Sequence, residues 1–135
     1  MMISSKGRYA LRVMIDLAEH TSEGYIPLQQ IAKRQQISEK YLESILSVLS
    51  KAGFLDAVRG KGGGYRLARA AKDYTAWEIL SLTEGTLAPV SCLESGKSCE
   101  RAGQCPTLPL WRGLDRQIET YLRGFTLESL TTTNI

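Results

Sequence analysis

Apolar residues recur at helical spacing through Tyr9, Ala10, Val13, Met14, Leu17 and Ala18, which predicts a first helix ending near Gly24. Pro27 opens a second, short helix with Leu28, Ile31 and Ala32 inward and Gln29, Gln30, Lys33 and Arg34 outward. After Gln35-Gln36-Ile37, Ser38 is a good N-cap, and Glu39 behind it suits the positive end of a helix that runs to about Ala52 and stops at Gly53. The pattern then changes. Two short runs, Leu55–Arg59 and Tyr65–Ala68, flank four glycines and predict a β-hairpin with an extended tip. Thr75 and Glu78 form a capping box for a helix closing at Gly85. Residues 86–106 lack periodicity. From Leu108 to Arg123 a last long helix carries Leu110, Leu114, Ile118 and Tyr121 on one stripe, and 126–130 adds one turn after Gly124.

Two short helices joined by a tight turn, the second well capped, are a helix-turn-helix. In the second, Leu42, Ile45, Leu46 and Leu49 occupy i, i+3, i+4 and i+7 and must face the core. Lys40, Glu43, Ser44 and Ser47 follow the same spacing on the other side, a polar, hydrogen-bonding face of the kind that reads a DNA major groove. Ser38 and Tyr41, at the start of that helix, complete the candidate set. A merely solvated face would carry the same pattern, so the following hairpin decides. It places Arg59 and Lys61 at a glycine-rich tip, as the wing of a winged helix does, where they would meet phosphate or a minor groove. A nucleotide-phosphate loop is the rival reading of the glycines, but no Lys-Ser/Thr and no helix follow them.

The 135 residues are 43% hydrophobic and 23% charged, ordinary for one globular domain. No apolar run approaches the roughly 20 residues needed to span a bilayer, and the N-terminus lacks the pattern of a signal peptide. A cytoplasmic protein without membrane contact is expected. The net charge is only +3, but its placement matters: residues 1–85 hold twelve Lys or Arg against nine Asp or Glu, and residues 86–135 hold five of each. Arg59, Lys61, Arg66 and Arg69 fall within eleven residues that contain no acid, a local patch suited to phosphate.

Cys92, Cys99 and Cys105 are the three cysteines, spaced Cys-x6-Cys-x5-Cys among Ser, Gly, Lys and Gln. An odd count argues against a disulfide framework. Zinc prefers paired Cys-x2–4-Cys ligands, absent here, whereas iron–sulfur clusters accept wider spacing from a wrapping loop; free or redox-labile thiols remain the alternative. Neither Cys-x-x-Cys, nor a histidine beside the cysteines, nor paired carboxylates support catalysis, so no enzyme is expected.

The stretches SSKGRYALRVMIDLA, LQQIAKRQQISEKYLESILSVLSKAGF and VRGKGGGYRLA, with the three cysteines before LPLWRGL, resemble the IscR-type family of bacterial winged-helix transcription regulators along nearly the whole chain. That family includes the iron–sulfur assembly regulator, a nitric-oxide sensor and a cysteine-metabolism regulator. The resemblance implies a homodimer held by the long C-terminal helix, reading an imperfect palindrome in double-stranded DNA. It also implies a [2Fe-2S] or [4Fe-4S] cluster on Cys92, Cys99 and Cys105. One departure stands out. The assembly regulator carries a histidine three residues after the third cysteine, where this chain has Leu108, and the aspartate of the nitric-oxide sensor corresponds to Arg8. The fourth ligand is therefore open among Glu94, Glu100, His20, a partner residue and solvent.

The sequence thus predicts a mainly α fold with a small β-hairpin wing. The expected plan is a winged helix-turn-helix over residues 1–85, a cysteine-bearing loop over 86–107, and a dimerisation helix and tail over 108–135. The expected function is a repressor or activator modulated by an iron–sulfur cluster. The alternative is a cluster-free regulator of the same fold that senses thiol oxidation, a metabolite or a partner protein.

Overall fold

The computed structural model describes residues 3–94 and 103–131. Helix α1 (Ser5–Glu19) begins at Ser4, whose hydroxyl accepts from the Gly7 amide at 3.0 Å. It stops five residues short of Gly24, because a 3-10 turn over Thr21–Glu23 intervenes before Gly24 takes φ 73°. Thr21 and Ser22 hold a helix poorly, which accounts for the early end.

Helices α2 (Leu28–Gln35) and α3 (Glu39–Lys51) form the helix-turn-helix. Between them Gln36 adopts the left-handed conformation (φ 55°, ψ 47°), and the Ile37 amide donates to the Ala32 carbonyl at 3.1 Å. Ser38 caps α3, accepting from the Tyr41 amide at 3.2 Å. Strands β1 (Leu55–Val58) and β2 (Gly64–Leu67) pair antiparallel with Leu55 opposite Leu67 and Val58 opposite Gly64. The hairpin also has a third partner. Ile26 and Tyr65 exchange both backbone hydrogen bonds at 2.9 Å, tying the wing root to the residue just before Pro27.

Helix α4 (Ala76–Glu84) starts at the Thr75–Glu78 capping box, and α5 (Leu108–Arg123) and the short α6 (Leu127–Leu130) close the chain. The core is where the periodicity placed it. Ala10, Val13 and Met14 of α1, Ile31 of α2, and Leu42, Ile45, Leu46 and Leu49 of α3 are fully buried with Ile79 and Tyr74. Each such Leu or Ile stabilises the fold by about 1.5–3 kcal/mol. Helix α6 joins the same core: Leu127 is fully buried, its amide donates to the Tyr74 carbonyl, and Ala76 donates to Phe125. Buried Tyr74 fastens the wing from below, its hydroxyl donating to Phe54 O (2.7 Å) and accepting from the Arg69 amide (2.9 Å). The result is the winged helix-turn-helix that the spacing predicted, with a long helix appended.

Candidate nucleic-acid interface

Because α3 buries its leucine–isoleucine face, Lys40, Glu43 and Ser44 stand in solvent and Tyr41 and Ser47 are half-buried. Lys40 and Glu43 form no ion pair among the described residues. Ser38 and Ser44 are already engaged locally, Ser38 as the cap and Ser44 by donating to the Tyr41 carbonyl at 2.7 Å. Two depressions organise this surface. One of about 370 Å³ at the start of α3 is lined by Ser38, Lys40, Tyr41 and Ser44. The other, about 450 Å³, lies between α3 and the wing, where Glu43, Ser47 and Lys51 face Val58, Arg59 and Gly60. The fold thus brings Glu43 and Ser47 into one cleft with Arg59, which lies more than ten residues away in the chain, while Lys61 lies at the exposed tip outside both.

The wing glycines divide by role. Gly60 (φ 90°) and Gly62 (φ 78°) face open space and only need a positive φ. Gly63 is packed on backbone: a Cβ there would lie 2.2 Å from the Val58 carbonyl oxygen. The basic cluster divides as well. Arg66 stacks on the Tyr25 ring at 4.4 Å and reaches Asp56 at 3.7 Å. Arg69 covers the Tyr74 ring at 4.2 Å and approaches Glu78 at 3.6 Å. Both brace the root of the wing. Arg59 and Lys61, exposed and without an ion pair among the described residues, are left as the cations available to a phosphate.

A network that the sequence pattern did not reveal backs the helix-turn-helix. Asp16 of α1 is 2% exposed, and its carboxylate takes a fork from Arg34 of α2 (Nε to Oδ2 2.9 Å, Nη2 to Oδ1 2.7 Å) and a third bond from Gln35 Nε2 at 2.8 Å. The hydrogen bond to Asp16 raises the pKa of Arg34 despite partial burial. Arg12 donates through Nε to Gln35 Oε1 at 3.1 Å and through Nη2 to the Gln35 carbonyl, and it lies over the Tyr9 ring at 5.1 Å. Tyr9 in turn meets Tyr41 of α3 edge to face at 5.8 Å. The one signal in the sequence was an aspartate at a position where its helical neighbours Val13 and Leu17 are apolar.

Of the cysteines, Cys92 sits half-buried in a 3-10 turn over Ser91–Leu93 and Cys105 half-buried just ahead of α5, while Cys99 lies outside the described residues. Thr107 occupies the N-cap position of α5 without capping it; its Oγ1 lies 3.2 Å from Cys105 Sγ instead. The Thr107 hydroxyl, then the Thr107 and Leu108 amides, lower the Cys105 pKa. A thiol with a lowered pKa is chemically suited to a metal as thiolate, but among the described residues, which leave out Cys99, no three His, Cys, Asp or Glu side chains converge where they could hold a metal ion. Leu108, at the position of the expected histidine, is buried and supplies no ligand. Helix α5 itself buries only Leu108 and leaves Leu110 (61%), Leu114 (42%) and Tyr121 (67%) exposed, an apolar face unusual on a lone domain. No described helix is long and apolar enough to cross a membrane.

Comparison with known proteins agrees with this geometry. Residues 3–133 match the Rrf2 family, described as iron-dependent transcriptional regulators. The HTH-type transcriptional regulator IscR of Xenorhabdus nematophila is 40% identical over 130 residues, 96% of this chain and 79% of that protein. Among solved structures, CymR, the global cysteine regulator of B. subtilis, superposes with a TM-score of 0.80 at 37% identity over 98% of both chains. IscR of T. potens gives a TM-score of 0.75 at 35% identity, covering 96% of this chain and 85% of that one.

Proposed function

The chain belongs to the Rrf2 family of transcriptional regulators, and from that premise we propose that it is a homodimeric DNA reader whose operator affinity is set by an iron–sulfur cluster on Cys92, Cys99 and Cys105. The α3 face, Ser38, Lys40, Tyr41, Glu43, Ser44 and Ser47, reads bases in the major groove. Arg59 and Lys61 hold phosphate or the adjoining minor groove. The exposed stripe of α5 pairs with its copy in a second chain, so two α3 helices meet an imperfect palindrome on cytoplasmic DNA.

The observation that carries the cluster reading is the position of Cys105, three residues ahead of α5 with its sulfur beside Thr107 at the N-cap position. When bound, the cluster would supply a redox- or occupancy-sensitive tie between the cysteine loop and the dimer helix. Holding or releasing Cys105 changes the support at the start of α5 and hence the spacing of the two wings. Coupling of this kind amounts to about 1–3 kcal/mol. One observation favours a second reading. Cys105 is partly accessible with a lowered pKa, so a cluster-free regulator that senses oxidation through the same thiol is the alternative.

Anaerobic purification separates the two. Stoichiometric iron and sulfide, lost in Cys92→Ala together with a change in operator affinity while the fold persists, support the cluster. A colourless, iron-free protein whose DNA binding responds to peroxide and recovers with thiol supports the alternative.

A further inference from the structure

The buried carboxylate of Asp16 touches neither the α3 face nor the wing, yet three hydrogen bonds lead from it into the turn of the helix-turn-helix. Arg34 and Gln35 are the penultimate and last residues of α2, and Gln36 follows in the left-handed conformation that reverses the chain into α3. The main-chain carbonyl of Asp16 lies 2.7 Å from His20 Nδ1, which fixes the end of α1, and the same ring nitrogen is 3.8 Å from Asp16 Oδ1. Gln35 passes the constraint to Arg12, Arg12 packs on Tyr9, and Tyr9 meets Tyr41 in the first turn of α3. A planar carboxylate facing a planar guanidinium admits one relative arrangement of α1 and α2, whereas the leucine contacts around it tolerate sliding.

Only the carboxylate is fully buried, Arg34 keeping 30% of its side chain exposed. Such a pair is a poor source of stability, because the desolvation of Asp16 offsets much of the attraction, and apolar side chains of similar volume often serve as well or better. What the pair supplies that apolar residues do not is a defined angle. We propose that Asp16 is a positioning residue for sequence-specific DNA recognition: with Arg34 and Gln35 it sets the orientation of α2 and the turn, and through them the pitch at which α3 enters the groove. The proposal rests on the reading of α3 as the base-reading helix. It predicts that the network governs discrimination between sequences and not attraction to DNA in general, because a tilted α3 misaligns base contacts while Arg59 and Lys61 still reach phosphates.

The test uses the full chain, a duplex selected by the unaltered protein from a random pool, and a random duplex of equal length. Asp16→Asn keeps the shape and loses the charge. Asp16→Leu combined with Arg34→Met replaces the pair by apolar volume and guards against simple unfolding. The expected result is that both variants stay folded by circular dichroism and thermal melting. Affinity for the selected duplex falls about tenfold or more, while random-duplex affinity and salt dependence stay within about twofold. Equal losses on both duplexes, or unchanged discrimination in the folded apolar pair, would overturn the proposal. A gain in random-duplex affinity in Asp16→Asn would overturn it too, since Asp16 would then act by masking the Arg34 charge. If the unaltered protein selects no sequence at all, the base-reading role of α3 fails first.

Discussion

Gly64 of the wing lies against Ile26 so closely that a Cβ on Gly64 would fall 2.3 Å from the Ile26 carbonyl oxygen. The wing is thus seated on the strand-like residue Ile26 ahead of α2, and the two halves of the proposed DNA-reading surface share a backbone joint. Gly64→Ala must break that joint, whereas Gly62→Ala meets open space and only the strain of its positive φ. Gly64→Ala should cost about 2–4 kcal/mol and Gly62→Ala about 1–2 kcal/mol. Urea denaturation of both variants checks the order; equal costs would mean that the wing root can shift freely.

The division of the basic cluster predicts unequal effects on DNA. Arg59→Ala should weaken binding to all sequences and lower the slope of log affinity against log salt by about one unit, as one lost phosphate contact does. Arg66→Ala should leave that slope unchanged, because its guanidinium is occupied by Tyr25 and Asp56. Glu43→Ala should instead change which sequences are preferred. Salt titrations on matched and random duplexes measure all three.

Tyr74→Phe removes a fully buried hydroxyl that serves the Phe54 carbonyl and the Arg69 amide together. The Arg69 amide is left unpaired, while the Phe54 carbonyl keeps the Ala68 amide at 3.3 Å. The loss should destabilise the chain by about 1–3 kcal/mol, a fall in Tm of about 3–5 °C per kcal/mol for a domain of this size. Differential scanning calorimetry supplies the number.

Leu114 projects from α5 with 42% of its surface exposed. Leu114→Lys should convert the protein to a monomer at micromolar concentration without loss of helix content, and should weaken binding to a full palindrome far more than to one half-site. Sedimentation velocity and band shifts decide the matter. A stable monomer before any mutation would remove the basis for the dimer.

The Cys105 thiol has a pKa below the usual cysteine value, first through the Thr107 hydroxyl. More of it is therefore thiolate at neutral pH, and its alkylation should persist to lower pH than that of an ordinary cysteine. In cluster-free, reduced protein, iodoacetamide labelling followed by mass spectrometry should show Cys105 reacting at a pH where a model thiol has slowed. Thr107→Val should move the profile back toward higher pH. An unchanged profile in that variant would place the cause elsewhere.

Much of this protein was legible from spacing alone. The heptad-like placement of Leu42, Ile45, Leu46 and Leu49 oriented α3, because a helix that buries one stripe must expose the opposite one. Ser38 and Thr75 marked helix starts because the unpaired first amides take a side-chain acceptor, and Gly124 marked a helix end although it keeps an ordinary φ of −75°. Of the stripe Leu110, Leu114, Ile118 and Tyr121, the fold leaves Leu110, Leu114 and Tyr121 exposed and half-buries Ile118.

Other features depended on residues meeting across the chain. Arg66 and Arg69 were indistinguishable from Arg59 and Lys61 by composition, and only folding put aromatic rings beneath the first two. Gly63 and Gly64 were read as part of the extended tip, but Gly64 belongs to β2 and the approach of Val58 to Gly63 and of Ile26 to Gly64 leaves no room for a Cβ at either. Asp16 stood out only as an acid among apolar helical neighbours, and nothing in the spacing named its partners, since Arg34 and Gln35 lie eighteen and nineteen residues away. Local sequence determines what is cheap for the backbone and which face turns inward, because both follow from a few neighbouring residues. Which charges stay free, which glycines are irreplaceable and which buried carboxylate finds its counterion are decided by tertiary contact, because each depends on a partner that the chain supplies only after it folds.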